Sequence, residues 1–266
     1  MQCRFMQDCP DIAPKGETTC NKKGGVCSIR RFVPSESGQI DFGPITATCP
    51  SRFLEGRKIF KEIGKRLLGT ERPLIVKEIQ FLQRIAGDST DEETSKEDVG
   101  RIDIVLIHPD TSRLEWCALE MQAVYFSGGS MSKDFEAIKN HEGRSLPLPA
   151  AYRRPDFRSS GPKRLMPQLQ IKVPTLRRWG KKMAVVVDRP FIDSMGDMGK
   201  ESDTSNCDIV WFVVRFDKSE SDNHANLAVD EVRLTTLERS VEGLTAGVPV
   251  SLDNFEQKIR FKLPGK

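Results

Sequence analysis

Two acids and an amide interrupt a pair of apolar runs. Asp103 falls within residues 102–107, and Glu120 and Gln122 fall within residues 116–126. The first run is rich in β-branched and aliphatic residues, and the His108-Pro109-Asp110-Thr111-Ser112 segment between the runs is turn chemistry. The stretch therefore predicts two strands joined by a tight turn. Strand side chains alternate faces, so Glu120 and Gln122 share one face, while Leu119, Met121 and Ala123 share the other. Paired as a hairpin, the strands bring Asp103 level with Glu120 near one end of a sheet. Two carboxylates that close repel unless a cation sits between them. Oxygen ligands suit Mg²⁺, which keeps several waters and leans on one or two carboxylates plus substrate phosphates. A metal held there activates a water and stabilises charge on a scissile phosphate. Asp110, in the turn, is the alternative first acid.

A second chemical cluster lies at the other end of the chain. Cys3, Cys9, Cys20, Cys27 and Cys49 fall within the first fifty residues, which hold few aliphatic side chains and many Gly, Pro, Thr and Ser. A segment of that composition buries little core and needs a staple. With no export signal at the N-terminus, a metal is the expected staple rather than disulfides. Cys9, Cys20, Cys27 and Cys49 form one set of four, with Gly24 and Gly25 allowing a sharp turn between the middle two. Cys3 is the spare, able to replace Cys9. A four-thiolate tetrahedral site is structural and suits zinc or iron alike. Cys117 and Cys207, isolated in apolar runs, read as small buried hydrophobes.

An acid on one strand followed by acid-x-lysine on the next is the pattern of the PD-(D/E)xK nucleases, and here Gln122 stands in the lysine's place. The order of features adds to this. A cysteine cluster ends in Ala47-Thr48-Cys49-Pro50-Ser51-Arg52-Phe53, a helical stretch and an acid-bearing strand follow, and then comes Leu119-Glu120-Met121-Gln122-Ala123-Val124-Tyr125-Phe126-Ser127-Gly128. That order resembles the NotI-type restriction endonucleases, which use Glu-x-Gln and hold iron on four cysteines in a small N-terminal domain. The resemblance implies an α/β fold, a PD-(D/E)xK core with a central mixed sheet flanked by helices. It implies a Cys-rich metal-binding domain over residues 1–52 and a nuclease domain over residues 53–266. Asp103 and Glu120 would hold the catalytic Mg²⁺, Gln122 would help place the attacking water, and Cys9, Cys20, Cys27 and Cys49 would hold the structural iron. The implied activity is Mg²⁺-dependent, sequence-specific hydrolysis of double-stranded DNA in defence against foreign DNA. One site cuts one strand, so a twofold homodimer is the expected arrangement on a palindrome. The alternative is a non-catalytic, metal-stapled DNA-binding protein.

Charge and periodicity supply the surroundings. The chain carries a net charge of +3 over 266 residues. Between Lys139 and Lys182, however, there are twelve Lys or Arg against two acids. A concentrated positive segment suits a polyanionic partner. Arg153, Arg154, Arg158, Lys163 and Arg164 lie in a loop-like piece of it, where they would contact phosphates or guanine edges. Residues 55–68 predict a helix with Ile59, Phe60, Ile63 and Leu67 on one stripe. Residues 74–86 predict a second, with Ile75, Ile79 and Leu82 aligned and Glu78 beside them. Residues 87–100 read as a polar loop. Residues 165–179 fit helix or strand, whereas residues 182–188 and 208–216 read as buried strands. Strand then helix character over residues 229–244, and a closing helix over residues 252–263, complete an α/β pattern. No run approaches the roughly 20 apolar residues of a membrane helix, and the composition predicts a soluble, cytoplasmic protein.

Overall fold

The computed structural model describes residues 2–12, 18–20, 26–34, 39–82, 100–128, 130–143, 153–218, 224–247 and 250–263. The predicted glycine turn at Gly24 and Gly25 and nearly all of the predicted acidic loop lie outside them. In chain order the elements begin with a one-turn helix α1 (Arg4–Gln7) and a bulged antiparallel hairpin, β1 (Ser28–Pro34) and β2 (Ile40–Ala47). A 3-10 segment (Pro50–Arg57) leads into helix α2 (Lys58–Leu67). Strands β3 (Leu74–Leu82), β4 (Gly100–Ile107) and β5 (Trp116–Met121) follow. Next come the short strand β6 (Tyr125–Phe126), helix α3 (Ser132–Lys139), the short strand β7 (Pro155–Asp156), the one-turn helix α4 (Phe157–Ser160) and helix α5 (Met166–Arg178). The chain closes with β8 (Met183–Asp188), α6 (Arg189–Asp193), β9 (Ile209–Lys218), β10 (Ala225–Thr235), α7 (Leu237–Thr245) and α8 (Leu252–Lys262).

Six of the strands form one mixed sheet in the order β10-β9-β8-β5-β4-β3. Its centre is parallel, with β5 beside β8 and β8 beside β9. Its flanks are antiparallel. Strands covered on both faces carry continuous apolar runs rather than alternation, and every residue of β8 is buried. One face packs Leu106, Leu119, Val186 and Phe212 against Ile59, Phe60 and Ile63 of α2. The other packs Val105, Ala118, Val185 and Trp211 against Leu169, Val173 and Leu176 of α5. The alternation expected along β5 holds: Leu119 and Ala123 lie in the α2-side core, with Met121 packed against it.

Residues 74–82 form a strand and not the predicted helix. The Ile75, Ile79 and Leu82 spacing is helical, and the strand meets it only with an irregularity between Gln80 and Leu82, but Leu74-Ile75-Val76 is β-prone, and β4 offers an open edge with backbone groups to satisfy. The piece that fitted either form, residues 165–179, is helical as α5. The basic stretch before it is also more regular than a loop, since α4 continues through a π-helical turn (Gly161–Leu165) directly into α5.

The Cys-rich segment packs into the main core. Cys9, Ile12, Ala47 and Phe53 belong to the same buried cluster as the sheet. Buried Arg52 reinforces the junction, lying over the Phe5 and Phe216 rings and donating to the Ala225 carbonyl.

Candidate functional site

Strand register brings the predicted acids together. Ile104 pairs with Leu119 in the β4–β5 ladder. One step further, where β4 runs on and β5 nears its end, Asp103 falls across from Glu120. Both point to the α5 side of the sheet. Glu120 is buried, whereas the Asp103 side chain is 56% exposed. The pair thus spans a gradient from dry interior to solvent.

The cation between them comes from α5. Lys172 Nζ donates to Glu120 Oε2 at 2.7 Å, to Gln168 Oε1 at 2.6 Å and to Asp103 Oδ2 at 3.3 Å. An ammonium has three donors, and these acceptors use all three. Lys172 is itself buried. Sequence reasoning placed it only within the basic run. The signal was its spacing: Leu169, Lys172, Val173 and Leu176 form one helical stripe, with a lysine where an apolar residue belongs. Burial pushes the Glu120 carboxyl up to about 7, against the pull of Lys172, and Asp103 pushes it the same way.

Gln122 follows β5 and is buried, and its side-chain Nε2 donates to the Ala123 carbonyl at 2.6 Å. Its backbone N–H continues the β5–β8 ladder to Val186. Glu78 lies on β3 at the register position across from Asp103, between the Lys77–Ile104 and Ile79–Ile102 pairs. Its φ of 56° is left-handed, a conformation that costs a non-glycine residue roughly 1 kcal/mol or more. Its carboxylate pairs with Arg101 at 3.3 Å. Asp110 lies in the exposed turn, hydrogen-bonded to Ser112, away from the Asp103–Glu120 register position.

The cysteines divide. The Cys27 thiol hydrogen-bonds Cys49, and that bond, with burial, raises its pKa; Cys3 and Cys20 add to the effect from nearby. The backbone explains the grouping: Gln2 bridges to Thr19, and Thr48 N–H donates to the Cys27 carbonyl. Cys9 stands apart. It is fully buried in the main core, with its Sγ 3.5 Å from the Leu54 carbonyl. Burial raises its thiol to about 11. The spare cysteine of the sequence reading, Cys3, is therefore the one gathered with Cys20, Cys27 and Cys49. Among the described residues, no group of three or more His, Cys, Asp or Glu is arranged to hold a metal ion.

The basic segment also divides. Arg153 is committed to the interior, with Nη2 2.7 Å from Asp134 Oδ2 and donations to the Ser127, Gly128 and Ser130 carbonyls. Arg177 pairs with Asp208 and Glu238. Arg154, Arg158, Lys163 and Arg164 are exposed, and the Arg164 guanidinium stacks 3.9 Å over the Tyr125 ring. They sit on the segment that feeds α5, the helix that carries Lys172.

The paired acids at the end of a mixed sheet flanked by helices fit an α/β nuclease core. The model of the family described as restriction endonuclease NotI matches residues 1–227, so the chain belongs to the NotI restriction endonuclease family. No curated protein matches it. No helix among the described residues is long and apolar enough to cross a membrane.

Proposed function

We propose that the protein is a type II-like restriction endonuclease that hydrolyses phosphodiester bonds of double-stranded DNA at a specific sequence, with Mg²⁺. Two chains would form a twofold homodimer in the cytoplasm and act against foreign DNA. The reading is carried by one observation: in a chain of this family, Asp103 stands across from Glu120 with a cation held between their carboxylates. That donor chemistry fits Mg²⁺, which needs only one or two carboxylates and takes its remaining oxygens from water and phosphate. When bound there, the metal would supply an activated water and charge stabilisation at the scissile phosphate. Asp103 and Glu120 would hold it, and Gln122 would help place the attacking water. Arg154, Arg158, Lys163 and Arg164 would meet the DNA, while Arg153 braces the loop beneath them. Cys3, Cys20, Cys27 and Cys49, which lie near one another but are not arranged as a ready metal site, would have to close together to hold the structural iron or zinc, with Cys9 as core.

The acid pair alone does not separate this reading from a non-catalytic DNA-binding protein, because Lys172 neutralises it; family membership favours the nuclease. The test is plasmid cleavage with and without Mg²⁺, wild type beside Glu120→Ala. Discrete fragments that need both Mg²⁺ and Glu120 are expected. Intact binding with no cleavage across a broad panel of unmethylated DNA would favour the binding protein.

A further inference from the structure

Lys172 does more than fill space. It is buried on α5, whose Leu169 and Val173 belong to the core on that side, and its ammonium ends on both acids. Burying an ammonium is costly unless it is paired and hydrogen-bonded, and a methionine of similar length would pack without that cost. The three contacts are also unequal. Glu120 and Gln168 hold the ammonium at 2.7 and 2.6 Å from within the protein, and Asp103 holds it at 3.3 Å from the solvent-facing side. Gln168 lies one helical turn before Lys172, so the two side chains share a face of α5. Gln122, two residues on from Glu120 and just past the end of β5, is neutral and has its amide nitrogen committed to a backbone carbonyl.

We propose that Lys172 is the resident counter-ion and the phosphate-facing cation of the active site, released by the incoming metal from Asp103 alone and kept in place by Glu120 and Gln168. This deepens the nuclease reading and rests on it. The longest and most exposed contact is the one a divalent ion reaches first. The ammonium that remains on Glu120 and Gln168 then lies beside the metal, where a phosphate and its attacking water must sit. Gln168 is a positioning residue in this scheme: its carbonyl oxygen holds the ammonium against repulsion by the metal's charge. The acid pair also folds without metal, because one positive charge is already in place.

Two consequences separate this role from packing. Removing the ammonium removes a competitor for Asp103, so metal binds more tightly. Removing it also strips positive charge from the reacting phosphate, so cleavage slows even when metal saturates. The experiment titrates Mn²⁺ by electron paramagnetic resonance into wild type, Lys172→Met and Lys172→Gln, and measures single-turnover plasmid cleavage at saturating Mg²⁺. Lys172→Gln retains a donor for Glu120 and guards against a variant that fails to fold, with thermal melting reporting the fold. The expected result is Mn²⁺ affinity raised severalfold in the folded variants, with cleavage lowered about a hundredfold or more, the scale of a removed transition-state contact. Unchanged or weaker Mn²⁺ binding would overturn the displacement, and cleavage at the wild-type rate would overturn the phosphate-facing role. A wild type that never cuts DNA would remove the nuclease reading, yet the Mn²⁺ comparison would still decide whether Lys172 competes with metal.

Discussion

The carboxylate of Asp188 accepts the backbone N–H of Ala47 at 2.7 Å, joining the end of the Cys-rich segment to the last residue of β8. Its other oxygen accepts the Phe191 N–H at 3.0 Å and so caps α6. Both ends of the link are buried. Ala47 in turn receives the Val124 N–H just beyond Gln122, so the clasp ties the N-terminal segment, β8 and the chain leaving the acid-bearing strand to one point. Asp188→Ala leaves a buried N–H without an acceptor and removes a cap. Unfolding in urea should show a loss of about 2–3 kcal/mol. A loss within about 0.5 kcal/mol would mean that the clasp is incidental.

The same residue predicts a dependence on pH. Burial pushes the Asp188 carboxyl up from the ordinary 3.8 to about 7, although its backbone donors pull it down. The folded protein therefore binds this proton more tightly than the unfolded chain does. Its contribution is fully present below about pH 4 and is lost as pH rises through about 7. Asp188→Asn, which cannot ionise, should lack that slope. Urea unfolding of both proteins at about pH 5 and about pH 8 checks it: wild type should lose ground to the variant at the higher pH. A stability difference that does not change with pH would refute the raised pKa.

Much of this architecture is legible wherever one local pattern decides the outcome. The alternation of Leu119, Glu120 and Met121 across β5, the α2 stripe, and the apolar runs of β8 and β9 all carry their own register. What escapes is decided by distant partners. Residues 74–82 carry a helical stripe, and pairing with the edge of β4 overrides it. Lys172 reaches the acids from 52 residues beyond Glu120, so no spacing rule within the hairpin points to it. The placing of Cys3 near Cys20, Cys27 and Cys49 goes with the Gln2–Thr19 bridge, while Cys9 packs with Ile12 in the core.

That division of the cysteines gives a prediction by metal analysis. Cys3→Ser, Cys20→Ser, Cys27→Ser and Cys49→Ser should each purify with little iron or zinc. Cys9→Ser should keep its metal and instead lose stability, because a hydroxyl replaces a buried thiol in an apolar cluster, at a cost of about 1–3 kcal/mol. Elemental analysis beside thermal melting separates the two effects. Metal lost from Cys9→Ser but retained by Cys3→Ser would reverse the assignment.

The arginines of the basic segment should separate in the same way, by salt dependence. Exposed Arg158 and Lys163 form no salt bridge among the described residues, although Asp156 feels both charges, so a phosphate is a partner they can take. Substituting either with alanine should weaken DNA binding across all sequences and lower the slope of log affinity against log salt by about one. Arg153 answers to buried Asp134 instead. Arg153→Ala would break that buried pair, a change of about 3–5 kcal/mol, and would free the Ser127 and Gly128 carbonyls it gathers. Its signature should be a lowered melting temperature, with DNA affinity lost through unfolding of the loop. Binding titrations at several salt concentrations, run beside melts, decide the case. A stable Arg153→Ala protein with a reduced salt slope would show that this guanidinium faces DNA, and that its contacts with Asp134 and the loop carbonyls give way when DNA arrives.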